Sequence, residues 1–128
     1  VTELQRVMYV EDEPDIRAVA KLALEAVGGL QVLVCEGGEQ ALQQGPEFAP
    51  QLILLDVMMP GMDGPATLEA LRAEPRLAAV PVVFMTAKVQ PHEVAHFLGL
   101  GAVGVIAKPF DPMRLADQVR GFWQQTVH

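Results

Sequence analysis

Four consecutive aliphatic residues, Leu52-Ile53-Leu54-Leu55, run directly into a carboxylate, Asp56, and then into the turn-rich stretch Val57-Met58-Met59-Pro60-Gly61-Met62-Asp63-Gly64. A short, unbroken apolar run bounded by turn residues is the pattern of a strand buried on both faces. Such strands occur mainly in parallel sheets covered by helices. In open parallel sheets ligands bind beyond the carboxyl ends of the strands, so Asp56 is expected at such an end, held by a rigid strand and facing solvent. An Asp after a strand also begins many turns, and the weight given to Asp56 therefore depends on what accompanies it.

At 128 residues the chain fits a single domain, residues 1–128, large enough for a real core and far short of the roughly 250 residues of a (β/α)8 barrel. Hydrophobic residues make up 51% and charged ones 20%, which argues against disorder. The net charge of −7 and pI near 4.8 argue against direct binding to nucleic acid or an anionic membrane, since both select basic surfaces. The single cysteine, Cys35, excludes an internal disulfide and a CxxC site and suits a reducing compartment. No apolar run approaches 18 residues and Val1 to Arg6 is too short and polar for a signal peptide. The expected location is cytoplasmic.

Along the chain, Val7 to Val10 is the first strand and ends in Glu11-Asp12-Glu13. Helical spacing follows from Pro14, with Ile16, Val19, Ala20, Ala23, Leu24 and Val27 on one face and Gly28-Gly29 at the exit. Leu30 to Cys35 is a second strand and Glu39 to Gln44 a short helix stopped by Gly45-Pro46. The Asp56 strand is third, followed by a helix from Gly64-Pro65 to about Ala73. Val82 to Met85 is a fourth strand with Thr86-Ala87-Lys88 behind it, and a helix from Pro91 should turn Val94, Phe97 and Leu98 inward. Val103 to Ala107 is the fifth strand. It delivers Lys108-Pro109, and Asp111-Pro112 then caps a last helix carrying Leu115, Ala116, Val119, Phe122 and Trp123 on one side. Five strand-helix alternations without repeat or linker indicate one doubly wound α/β sandwich.

On that architecture Glu11-Asp12, Asp56, Thr86 and Lys108 converge on one edge. Three carboxylates face one ammonium, and each like pair near 4 Å at an effective dielectric of 20 repels by about 4 kcal/mol. A hard divalent cation relieves that repulsion. Oxygen-only ligands select Mg²⁺ or Ca²⁺ over zinc, and a small carboxylate set with room for water and phosphate oxygens favours Mg²⁺. Strand-end acids can instead cap helices, a role that suits Glu13 better than Asp56.

Glu11-Asp12, then L-I-L-L-D-V-M-M-P-G-M-D-G, then F-M-T-A-K, then A-K-P-F together resemble the receiver domain of two-component response regulators, the family of the chemotaxis response regulator. The resemblance runs from about Arg6 to Trp123. It implies a flavodoxin-like sheet of order 2-1-3-4-5 and a phosphoryl group taken from a phosphohistidine of a sensor histidine kinase or phosphotransfer protein onto Asp56. It also implies Mg²⁺ held by Glu11, Asp12, Asp56 and the backbone carbonyl of Met58, Thr86 hydrogen-bonded to the phosphoryl group, Lys108 paired with its oxygens, and a cis Lys108-Pro109 bond. Phosphoryl transfer asks little covalent chemistry of a protein beyond a positioned nucleophile, a metal and hydroxyl or cationic donors, and the residues for each of these parts are present. The output would be a changed protein-interaction surface for a downstream partner, with room for a dimer on activation.

His92-Glu93-Val94-Ala95-His96 matches HExxH, but the third histidine of the longer pattern is replaced by Ala102. The apolar residues Val94, Phe97 and Leu98 set the two histidines on the solvated face, away from any cleft. A dehalogenase-like phosphatase needs a second acid where Met58 stands. A flavin binder needs a hydroxyl- and glycine-rich loop where Glu11-Asp12-Glu13 stands. A receiver-like interaction module that is never phosphorylated remains the alternative. Two features depart from the family pattern. Val105 takes a switch position that is often aromatic, and Met58 and Lys88 flank the path of an attacking water, where they would tune the lifetime of the phosphoryl group.

Overall fold

A computed structural model describes residues 3–126. Five parallel strands form one sheet in the order β2-β1-β3-β4-β5, with β1 at Arg6–Val10, β2 at Gln31–Cys35, β3 at Leu52–Asp56, β4 at Val82–Thr86 and β5 at Gly104–Ala107. The helices between and after them are α1 (Pro14–Leu22), α2 (Gly38–Phe48), α3 (Gly64–Ala73), α4 (Pro91–Gly99) and α5 (Leu115–Thr126), and α1 runs on into one π-helical turn at Ala23–Val27. The doubly wound parallel fold expected from the alternation is the fold observed.

The sheet separates two cores by the period of two along each strand. Val7, Tyr9, Leu52, Leu54, Val83 and Met85 face α1 and α5. Met8, Val10, Ile53, Leu55, Val82 and Phe84 face α2, α3 and α4. All five residues of β3 and of β4 are buried, whereas the edge strands β2 and β5 are partly open. This is why the central strands read as unbroken apolar runs. Among the described residues no helix is long and apolar enough to cross a membrane.

Several local expectations need correction. Helix α2 does not stop at Gln44 but continues through Gly45-Pro46 to Phe48. Both residues are buried, and a Cβ on Gly45 would lie 3.2 Å from Met8 and Leu77, so packing on the sheet offsets the hydrogen bond a helical proline lacks. Val19 and Val27 are 45% and 48% exposed and Leu98 is 45% exposed, because these short helices bury a narrower stripe than the helical wheel suggests. Glu13 occupies the N-cap of α1, but its side chain makes no capping bond.

The loop after β3 is shaped by two glycines. Gly61 has φ of 75°, a conformation that costs a residue with a Cβ. Gly64 donates its N–H to the Val57 carbonyl at 2.9 Å, and a Cβ there would fall 2.7 Å from the Asp56 carbonyl oxygen. Asp63 caps α3 by accepting from Ala66 N at 2.9 Å. The chain therefore turns back sharply and leaves the end of β3 open.

Candidate functional site

Parallel strands all point the same way, so the residues that follow β1, β3, β4 and β5 meet at one edge of the sheet. Asp56 ends β3 and Thr86 ends β4, each 3% exposed, while Glu11 follows β1 and is wholly buried. Lys108 follows β5, its side chain 17% exposed, and its bond to Pro109 is cis as expected. The Lys108 ammonium donates to Glu11 Oε1 at 2.8 Å and to Asp56 Oδ1 at 3.1 Å. One oxygen from each of Glu11, Asp12 and Asp56 lies within 4.8 Å of the others. Of the five residues that the sequence assigned to one edge, Glu11, Asp12, Asp56 and Lys108 meet there, and Thr86 lines a pocket together with Asp56 and Lys108.

Electrostatics follow from burial with incomplete neutralisation. Burial pushes Asp56 up, Lys108 pulls it down, and the charge of Glu11 adds to the rise, leaving it at about 6. Burial also raises Glu11, but hydrogen bonding with Lys108 and Asp56, the Lys108 charge and, least of these, the Tyr9 hydroxyl outweigh it and hold Glu11 below the usual carboxylate range. For Lys108, burial favours the neutral amine, and the two carboxylates overcome it and keep the ammonium. One cation shared by two buried acids, with a third acid alongside, leaves net negative charge. A set of hard oxygen donors that close suits a small divalent cation, so the residues fit the metal that the resemblance implies.

A pocket of about 190 Å³ opens beside Asp56, lined also by Glu13, Met58, Thr86, Ala87 and Lys108. Thr86 Oγ1 accepts from Lys88 N at 3.0 Å, which points its lone pair away and leaves its proton for an acceptor in the pocket. Met58 is 71% exposed and forms part of the rim. Lys88 is exposed and is not part of the lining. Val105 is half-buried against the core on the α3 and α4 side, away from the pocket. His92 and His96 are both exposed on α4, and the only group of three or more potential metal ligands among the described residues is Glu11, Asp12 and Asp56.

Tyr9 was not foreseen. Its ring is fully buried and its hydroxyl donates to Glu11 Oε1 at 3.0 Å. Burial first, and then the charge of Glu11, push its ionisation far above the usual tyrosine range, so it remains a donor. The alternation of strand residues carries the signal that could have found it, since Tyr9 and Glu11 are two apart and share a face. Arg17 adds a support from α1, donating to the Glu11 backbone carbonyl at 2.8 Å.

A family model described as the response regulator receiver domain matches residues 7–120. The DNA-binding response regulator MtrA of Mycolicibacterium smegmatis is 37% identical over 119 residues, which are 93% of this chain and 50% of that protein. The phosphate regulon transcriptional regulatory protein PhoB of Klebsiella pneumoniae is 35% identical over 116 residues, again 50% of its length. The chain spans half the length of these curated relatives. Among solved structures, the Vibrio cholerae chemotaxis protein CheY4 superposes with a TM-score of 0.84 at 26% identity, covering 97% of this chain and 99% of that one.

Proposed function

The chain belongs to the response regulator receiver domain family, and from that premise we propose that Asp56 is its phosphoryl acceptor, served by Glu11, Asp12, Thr86 and Lys108. The observation that carries this reading is the contact of Lys108 Nζ with Asp56 Oδ1 at 3.1 Å, at the mouth of a pocket that Thr86 also lines. Lys108 occupies Oδ1 and leaves Oδ2 as the nucleophile. With a pKa of about 6 the carboxylate is ionised at neutral pH.

In the proposed reaction Asp56 Oδ2 forms the new O–P bond while the bond from phosphorus to a histidine nitrogen of the donor breaks, and the imidazole leaves with the bonding pair. Lys108 and the Thr86 hydroxyl bind the phosphoryl oxygens, placing fixed donors where charge gathers. Mg²⁺ bound by Asp12, Glu11, Asp56 and the Met58 carbonyl would neutralise charge shared between the acids and the incoming phosphoryl group. The partners proposed are a sensor histidine kinase or phosphotransfer protein upstream and a protein surface downstream, in the cytoplasm. The net charge of −7 supports a protein over nucleic acid as the direct partner of these residues.

Incubation with acetyl phosphate and Mg²⁺ tests the reading by intact mass. One base-labile phosphoryl increment is expected, absent in Asp56→Asn. An increment that persists in Asp56→Asn, or none from any donor, would favour an interaction module that works without phosphorylation.

A further inference from the structure

Glu11 Oε1 receives two donors, the Tyr9 hydroxyl at 3.0 Å and Lys108 Nζ at 2.8 Å. Both Tyr9 and Glu11 are wholly removed from solvent, so bulk water does not replace either donor. Glu11 Oε2 accepts a longer bond from Glu13 N at 3.4 Å, and one Glu11 oxygen lies within 4.8 Å of an oxygen from each of Asp12 and Asp56. Two donors on one oxygen therefore fix the rotation of this carboxylate.

The arrangement matters when Lys108 changes partners. Lys108 now bridges Glu11 and Asp56, and a phosphoryl group on Asp56 would offer it oxygens of greater negative charge. Turning toward them withdraws a charge-assisted bond from Glu11 in a place where an unpaired carboxylate oxygen is costly. With Lys108 as the sole donor, that cost would hold the ammonium back. The Tyr9 hydroxyl stays in place and keeps the oxygen satisfied.

We propose that Tyr9 is a positioning residue of the phosphoryl-transfer site, whose buried hydroxyl keeps Glu11 Oε1 paired while Lys108 turns from Glu11 to the phosphoryl group. Tyr9 touches no reacting atom, and the inference rests on the reading of Asp56 as acceptor. A buried tyrosine hydroxyl needs an acceptor in any fold, and a purely structural role predicts lower stability with no particular effect on transfer. A positioning role predicts slower transfer that depends on the charge of Glu11.

The experiment is a double-mutant cycle in Tyr9→Phe and Glu11→Gln, measuring phosphoryl incorporation from acetyl phosphate at saturating Mg²⁺. Tyr9→Phe should slow incorporation about tenfold, with Mg²⁺ affinity from calorimetry changed by less than about twofold, and should have no further effect in the Glu11→Gln background. Tyr9 is the only tyrosine of the chain, so biosynthetic 3-fluorotyrosine gives one ¹⁹F resonance without any substitution. That resonance should move on phosphorylation and in the same direction in Lys108→Ala, and it decides the matter if Tyr9→Phe fails to fold. Unchanged rates in Tyr9→Phe, equal slowing in both backgrounds, or a ¹⁹F signal indifferent to phosphorylation would each overturn the proposal while leaving Asp56 as acceptor. A wild type that takes no phosphoryl group overturns both.

Discussion

The Lys108 ammonium lies 3.1 Å from Asp56 Oδ1 although β5 and β3 do not touch, since β4 runs between them. The lysine side chain reaches across the end of a whole strand, and parallel strand direction makes that reach short. Removing it in Lys108→Ala leaves burial and the Glu11 charge to act on Asp56 unopposed, so its pKa should rise beyond about 6. Incorporation of phosphate should fall about 100-fold, the usual loss for one fixed donor to a developing anion. Carbon NMR titration of the Asp56 carboxyl and intact mass provide the two measurements.

Mg²⁺ should stabilise the folded protein because the acid cluster exists only there. At tenfold excess over Kd the gain is about 1.4 kcal/mol, a rise of about 5 °C in melting temperature for a domain of this size. Asp12→Ala should abolish the shift. Asp63→Ala should lower the starting stability by about 1 kcal/mol through the lost cap of α3 and leave the shift intact. Coincident melts with and without Mg²⁺ in the wild type would remove the metal from the site.

The raised pKa of Asp56 has a definite sign in pH. Its folded value, about 6, lies above the ordinary 3.8, so the folded state binds this proton more tightly. The resulting stabilisation is complete below about 4 and lost as pH rises through 6. Glu11 acts oppositely, since its lowered value gives stability above its ordinary range that is lost only at lower pH. Metal-stripped wild type should therefore gain stability on acidification from pH 7.5 to 5, and Asp56→Asn should not share that gain. Because protons compete with the cation, Mg²⁺ affinity from calorimetry should weaken about tenfold at pH 5.

The phosphoryl group should be long-lived. Met58 is 71% exposed at the pocket rim, and a thioether there cannot orient an attacking water. Met58→Asn with Lys88→Glu should speed the loss of phosphate by roughly tenfold or more. Following the decay of the mass increment checks this, and an unchanged or slower double mutant would refute it.

The signal should be carried by backbone between residues 86 and 100. Val105 is half-buried with a short branched side chain that is stiff about χ1, so it has little to rotate. Leu98 and Leu100 are already 45% and 41% exposed, whereas Phe97 is 7% exposed and packs on Phe84 with ring centroids 5.1 Å apart. Phe97 is therefore the residue with most to change if α4 shifts. Amide hydrogen exchange with and without a phosphoryl mimic should differ in residues 86–100 and hardly at Val105. A response confined to another face would refute this account.

Much of this protein is written in local pattern. The unbroken apolar runs at Leu52 to Leu55 and Val82 to Met85 announce strands covered on both faces, and strand-helix alternation with parallel direction then places Glu11, Asp56, Thr86 and Lys108 at one edge. These inferences need only periods and chain direction, both of which act over a few residues. What required the tertiary structure was whatever depends on who packs against whom. Helix α2 passes through Gly45-Pro46 because both are buried against the sheet, close to Met8 and Leu77. Val19 and Leu98 stay exposed because their helices present narrow stripes to the core. The Tyr9 hydroxyl and the Lys108 ammonium meet on a single oxygen of Glu11. The Lys108 contact joins residues 97 positions apart, at distances set by side-chain burial that no local pattern encodes.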